Sequence, residues 1–139
     1  MRLYVLDTDI SGFVQNEHPT VTARINALPD DDTVATTVVT FGEDLSGWLP
    51  ACRRARNGQA RAGLRAIDGW TRFLPRDDLL AIRWRDGDDL RSVAHAKIRI
   101  GTNDLAIAAI TLSVNGILVM RNAVDFQRIP DLLFEDWTK

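Results

Sequence analysis

The sequence predicts an α/β fold of three layers, a short parallel sheet of four to five strands with helices on both faces. Two observations carry that reading. Short apolar runs alternate along the chain with segments of helical spacing, the pattern of parallel strands joined by helical crossovers. The segment from Asp104 to Val114 is apolar nearly all round, which marks a helix buried between other layers.

The elements follow in order. Residues 2–6, Arg-Leu-Tyr-Val-Leu, read as a strand ending at Asp7. Asp9 is suited to cap the helix that follows, and His18-Pro19 marks a break before a second helix ending near Leu28. Pro29 to Asp32 is a turn rich in acids. Thr33 to Thr36 is β-branched and reads as the second strand, with a helix from about Val38 to Trp48. Between Ala51 and Phe73 an alanine- and arginine-rich stretch suggests a helical hairpin broken near Asn57-Gly58, and Leu79 to Ile82 suggests a third strand. From Asp86 to Ile100, the positions Leu90, Val93, Ala94 and Ile98 share one helix face. Acids open that segment, Lys97 and Arg99 close it and Gly101 follows as a cap, the polarity a helix dipole favours. Ile117 to Met120 and Leu132 to Phe134 supply the last two strands. With no internal repeat, low-complexity run or linker, residues 1–139 are expected to form one domain.

Composition narrows the class. Hydrophobic content of 45% and charged content of 26% are ordinary for a soluble globular protein. A single cysteine, Cys52, rules out an intrachain disulfide and a cysteine-rich zinc site, which fits a reducing cytoplasm. Leu3 to Leu6 is too short for a signal peptide, and Leu105 to Met120 is interrupted at Asn115-Gly116 and too short for a membrane span. The net charge of -2 argues against indiscriminate nucleic-acid binding. Of the 17 basic residues only Lys97 and Lys139 are lysine. Arginine suits phosphate oxygens, although a high-GC coding bias gives the same enrichment and is the plainer explanation.

Acidic residues converge in this scheme. Ligands of open parallel sheets bind beyond the carboxyl ends of the strands. Asp7 stands at the end of the first strand, Glu43 two turns into the helix after the second, and Asp104 at the start of the helix leading to the fourth. Asn122 and Asp125 follow that fourth strand directly. Gathered carboxylates repel one another, and a hard divalent ion such as Mg²⁺ or Mn²⁺ relieves that repulsion through oxygen ligands. Such an ion acidifies a bound water and polarises a phosphoryl oxygen, the two requirements of phosphodiester hydrolysis. His18 and His95 are isolated, so a metal-free mechanism on paired histidines has little support.

The motifs themselves resemble those of PIN-domain ribonucleases of the VapC toxin family. Val5-Leu6-Asp7-Thr8-Asp9-Ile10 resembles the first motif and Thr40-Phe41-Gly42-Glu43-Asp44-Leu45-Ser46-Gly47 the second. Asn103-Asp104-Leu105-Ala106-Ile107-Ala108-Ala109 resembles the third. Leu118-Val119-Met120-Arg121-Asn122, Asp125-Phe126 and Leu132-Leu133-Phe134-Glu135-Asp136-Trp137 are similar to the VapC ending. The resemblance implies a PIN-like fold and an Mg²⁺- or Mn²⁺-dependent endoribonuclease. It also implies a homodimer with a VapB-type antitoxin partner that blocks the site. Asp7, Glu43 and Asp104 occupy the family's acidic positions and are the expected metal ligands. Two departures stand out: Met120 replaces a common threonine, and Asn122 takes the fourth acidic position, so either Asn122 or Asp125 completes the site.

Plainer roles compete at each position. Asp7 could be a strand-end turn residue, Thr8 could hold the turn rather than serve the site, and Thr40-x-x-Glu43 reads as a capping box. Asp104 would gain from a helix dipole wherever it stood, and Asp125 could sit in a surface turn. Arg53, Arg54, Arg56, Arg61 and Arg65 read as a solvated helix face, or alternatively as contacts for RNA or the antitoxin. Trp48, Trp70, Trp84 and Trp137 read as packing residues and Cys52 likewise. Two other functions remain open: a catalytically silent scaffold binding RNA or protein, and a haloacid-dehalogenase-like phosphatase suggested by Asp7-Thr8-Asp9.

Overall fold

The computed structural model describes residues 1–54, 79–80 and 100–139, with the backbone alone at 51–54 and 79–80. Strand β1 (Leu3–Leu6) leads into α1 (Thr8–Gln15) and α2 (Pro19–Asn26). Strand β2 (Thr33–Thr37) runs directly into α3 (Val38–Arg54), and β3 is Leu79–Leu80. Helix α4 (Thr102–Ser113) precedes β4 (Ile117–Val119), the short α5 (Ala123–Phe126) and β5 (Leu133–Glu135).

All strand pairs are parallel, and the sheet order is β3-β2-β1-β4-β5. Leu6 is in register with Thr36 on one side and Val119 on the other. The chain therefore winds outward in both directions from β1, and the crevice at its carboxyl end is the topological switch point of such a sheet.

Strand alternation sorts the core into two faces. Tyr4, Leu6 and Val119 pack with Ile10, Val21 and Trp137 on one side. Leu118 and Met120 pack with Ile107, Ala108, Phe126 and Ile129 on the other. Helix α4 is buried from Ile107 to Thr111, as its continuous apolar run predicts. Trp137 is 1% exposed, tilted against Tyr4 with ring centroids 5.1 Å apart, and its indole N–H donates to Glu135 at 2.8 Å. It is a packing residue, as expected.

Local chemistry sets the element ends. Helix α1 stops where the Asn16 amide donates to the Gly12 carbonyl and Glu17 takes φ 53°, after which Pro19 opens α2. Thr37, not Thr40, caps α3: its Oγ1 accepts from the Thr40 N–H at 3.1 Å. After α4, Asn115 adopts φ 51° and Gly116 donates to the Thr111 carbonyl at 2.9 Å, turning the chain into β4. A Cβ on Gly116 would stand 2.9 Å from a Val5 methyl, so only glycine lets α4 return this closely onto β1.

Most expected boundaries shift by no more than two residues, but α3 runs six residues past its expected end at Trp48, and α5 is an element the sequence reading lacked. Gly101, expected as a cap closing the preceding segment, is the N-cap residue of α4, its carbonyl accepting from Leu105. The expected helical hairpin beyond Arg54, the helix of Asp86–Ile100 up to residue 99, Trp70, Trp84 and His95 lie outside the described residues. None of the helices in the described part is long and apolar enough to cross a membrane.

Candidate active site

Asp7 is the first residue past β1, and its position is fixed from three directions. Its N–H donates to the Val119 carbonyl at 3.0 Å, which extends the β1–β4 ladder one step past the sheet. Its carbonyl accepts from Ser11, and its Oδ1 accepts from the Ile10 N–H at 2.8 Å. Asp7 is thus the N-cap of α1, a role expected of Asp9; Asp9 instead lies exposed in the first helical turn. Burial pushes the Asp7 carboxyl up to about 7, the Ile10 N–H opposes that shift, and the charges of Asp9 and Asp104 reinforce it.

Glu43 projects from α3, and both of its oxygens are engaged. Thr8 donates its hydroxyl to Oε2, and Asn103 donates Nδ2 to Oε1 at 2.8 Å. The capping-box role for Glu43 does not hold, because α3 is capped by Thr37 and the Glu43 carboxylate turns toward α1 and α4. Its neighbour Asp44 accepts from Ser11 at 2.8 Å and from Gln15 at 2.9 Å, which clamps α3 to α1 and sets where Glu43 emerges. Asp104 lies in the first turn of α4, one residue after Asn103. Its carboxyl is raised by burial first, then by the charges of Glu43, Asp125 and Asp9. Asn122 caps α5, its Oδ1 accepting from the Val124 N–H at 3.4 Å, and Asp125 follows in the first turn.

Four chain segments therefore bring Asp7, Asp9, Glu43, Asp104 and Asp125 within electrostatic reach of one another at one sheet edge. Among the described residues no lysine or arginine forms an ion pair with Asp7, Glu43 or Asp104. The oxygens of all three acids are hard donors, and burial first, then neighbouring negative charge, raises the carboxyls of Asp7 and Asp104. They are neighbours rather than a finished cage: no three Asp, Glu, His or Cys side chains among the described residues already stand together at coordination distance. In chemistry and charge the donor set fits a hard divalent cation.

Several details lay beyond sequence reasoning. Asn103 contacts Glu43 across 60 positions of chain, which no local pattern announces. Met120 is buried among the α4 side chains at 1% exposure, so its departure from threonine falls on the core and not on the site. The side chains of Arg53, Arg54, Arg56, Arg61 and Arg65 and of Cys52 lie outside the described residues. A hollow of about 560 Å³ opens beside Leu3, Thr33, Ile117 and Leu133, the first residues of four strands. It is at the opposite edge of the sheet from the acids and has no part in their chemistry.

A parallel sheet of this order, gathering carboxylates at its switch point, has the architecture of a PIN-type nuclease domain. No family model matches the chain. Along its whole length it is nevertheless similar to VapC ribonucleases. It is 29% identical over 142 residues to ribonuclease VapC1 of Haemophilus influenzae strain R2866, with 99% of each chain covered. It is 28% identical over 142 residues to ribonuclease VapC2 of Rickettsia felis, again with 99% of each covered. Among solved structures, VapBC-1 from nontypeable H. influenzae matches at a TM-score of 0.80 and 29% identity, covering 99% of both chains.

Proposed function

We propose that this chain is a divalent-metal-dependent endoribonuclease, the toxin half of a VapBC-type pair whose VapB-like antitoxin partner restrains it. The supporting observation is the group of acids at the carboxyl edge of β1 and β4, unpaired with lysine or arginine among the described residues, in a chain similar to VapC ribonucleases from end to end.

Asp7, Glu43 and Asp104 would hold Mg²⁺ or Mn²⁺. When bound, such an ion acidifies a water and stabilises the charge that develops on the phosphoryl oxygens. The chain's own residues do the rest. Asp7 caps α1 by accepting from backbone N–H groups of its first turn, which holds its carboxylate at the strand end beside the site. Thr8 and Asn103 fix the plane of the Glu43 carboxylate, so that it meets the site without a search through rotamers. Asp125 adds negative charge beside Asp104 and serves as the acceptor for a proton leaving the attacking water. Asn122 spends its carbonyl oxygen on α5, which leaves its NH₂ to donate to a phosphate oxygen. Water then attacks phosphorus in line with the departing 3′ oxygen of the RNA chain.

The decisive experiment is cleavage of single-stranded RNA with and without EDTA, wild type beside Asp104→Asn. The proposal expects both treatments to abolish cutting. Activity that survives chelation and the substitution alike would sink it.

A further inference from the structure

We propose that Arg121 is a substrate-binding residue that grips a phosphate of the RNA strand beside the acidic site. The inference rests on the ribonuclease reading and adds to it the group that holds the polyanion against a negative pocket.

Arg121 lies two residues beyond the Leu6–Val119 pairing and directly before Asn122, so it emerges at the same carboxyl edge as Asp7 and Thr8. It is exposed, and its guanidinium carbon stands 5.9 Å from the centroid of the Phe13 ring on α1. Phe13 is itself held in place, its ring centroid 4.8 Å from that of His18. A planar cation over an aromatic face is attracted without spending its N–H donors. Five acids cluster on this edge, yet among the described residues Arg121 forms no ion pair with any of them. The aromatic shelf thus holds the positive group at the same sheet edge with its donors available.

That separation suits an RNA strand. Carboxylates repel phosphates, and an arginine fork matches two phosphate oxygens at once. The other described arginines with placed partners are elsewhere: Arg2 donates to Tyr4 at the start of β1, and Arg24 donates to the Lys139 carbonyl. A phosphate next to the scissile one, held by Arg121, would fix the register of the strand across the site.

The test uses steady-state cleavage of a single-stranded RNA by the full chain at several salt concentrations, with Arg121→Ala, Arg121→Lys and Phe13→Leu. Arg121→Ala should raise KM about tenfold with most of the loss in KM rather than kcat. The slope of log(1/KM) against log salt should shrink by about 0.7, the release expected for one contact to a single strand. Arg121→Lys should restore the slope but only part of the affinity, since an ammonium lacks the fork. Phe13→Leu should keep the slope and raise KM about threefold. A merely structural role for Arg121 does not change a salt slope. Wild-type KM and slope in Arg121→Ala would overturn the proposal, as would a loss confined to capture of an acidic antitoxin segment. If the wild type cuts no RNA, the ribonuclease reading fails on its own. Equilibrium binding of a 2′-O-methylated RNA, with the same slope comparison, then decides Arg121 separately.

Discussion

The amide of Asn103 donates to the carboxylate of Glu43 at 2.8 Å, joining two residues 60 positions apart at the mouth of the acidic site. Thr8 holds the other oxygen of the same carboxylate. Both donors act through Glu43, so their effects on catalysis should overlap. Partners that orient a metal-binding carboxylate typically affect affinity or activity by about 10- to 100-fold. Asn103→Ala and Thr8→Val are each expected to lower kcat/KM within that range. The double variant should lose much less than the product of the two, as determined from a double-mutant cycle. Fully multiplicative losses would show that the two side chains act on separate groups.

Asp7 ties stability to pH. Its carboxyl sits at about 7 in the folded chain, against an ordinary value of about 3.9. Between those values the folded state holds a proton that the unfolded state has released. Stability therefore falls as pH rises through this window and is lowest above about 7. From pH 5 to pH 8 the change attributable to Asp7 is about 3 kcal/mol, with Asp104 shifted in the same direction. In EDTA, thermal unfolding should show Tm falling over that range by an amount on the order of 10 °C. Asp7→Asn keeps a capping oxygen for the Ile10 N–H, and should flatten the profile and raise Tm at pH 8 while abolishing cleavage.

How much of this was open to a reader of the sequence depends on the range of each interaction. Strands such as Tyr4-Val5-Leu6 and the apolar run of α4 are written in consecutive residues, and their parallel pairing followed from alternation with helices. The convergence of Asp7, Glu43 and Asp104 was legible because Asp7 follows β1, Glu43 lies in the helix that leaves β2 and Asp104 lies in the first turn of α4, all toward the same sheet edge. The choice between Asp7 and Asp9 as the cap was not, since two acids spaced by one residue fit equally until the strand's last hydrogen bond is known. Helix α5 spans one turn, too short for periodicity to reveal. The contacts of Glu43 to Asn103 and Thr8, and of Arg121 to Phe13, depend on which distant side chains meet, and that is decided by packing alone.

Divalent cation should reverse the penalty at Asp7. An ion that binds only the folded chain stabilises it by about 2.7 kcal/mol at a hundred times its Kd. At pH 8 a thermal shift of several degrees is expected with Mn²⁺ or Mg²⁺ and its loss on adding EDTA. The shift should be smaller at pH 5, because protons then compete for the same oxygens. Asp7→Asn and Asp104→Asn should each remove most of it. An equal shift in wild type and both variants would place the ion elsewhere on the chain.

Gly116 separates stability from chemistry. It lies between α4 and β4, at the strand edge away from the acids, and a Cβ there would stand 2.9 Å from the Val5 methyl and 3.3 Å from the Leu3 carbonyl oxygen. Val5 is fully buried, so neither neighbour has room to yield. Gly116→Ala is expected to cost about 1–3 kcal/mol by overpacking, measured as a lower urea midpoint at unchanged m-value. Cleavage per folded molecule should stay near wild type, since no site residue moves. Val5→Ala removes the clashing methyl at the expense of a cavity of its own. Combined, the two substitutions should therefore cost less than their sum, by about 1 kcal/mol. Strict additivity would mean that the turn, and not the Val5 contact, is what demands glycine.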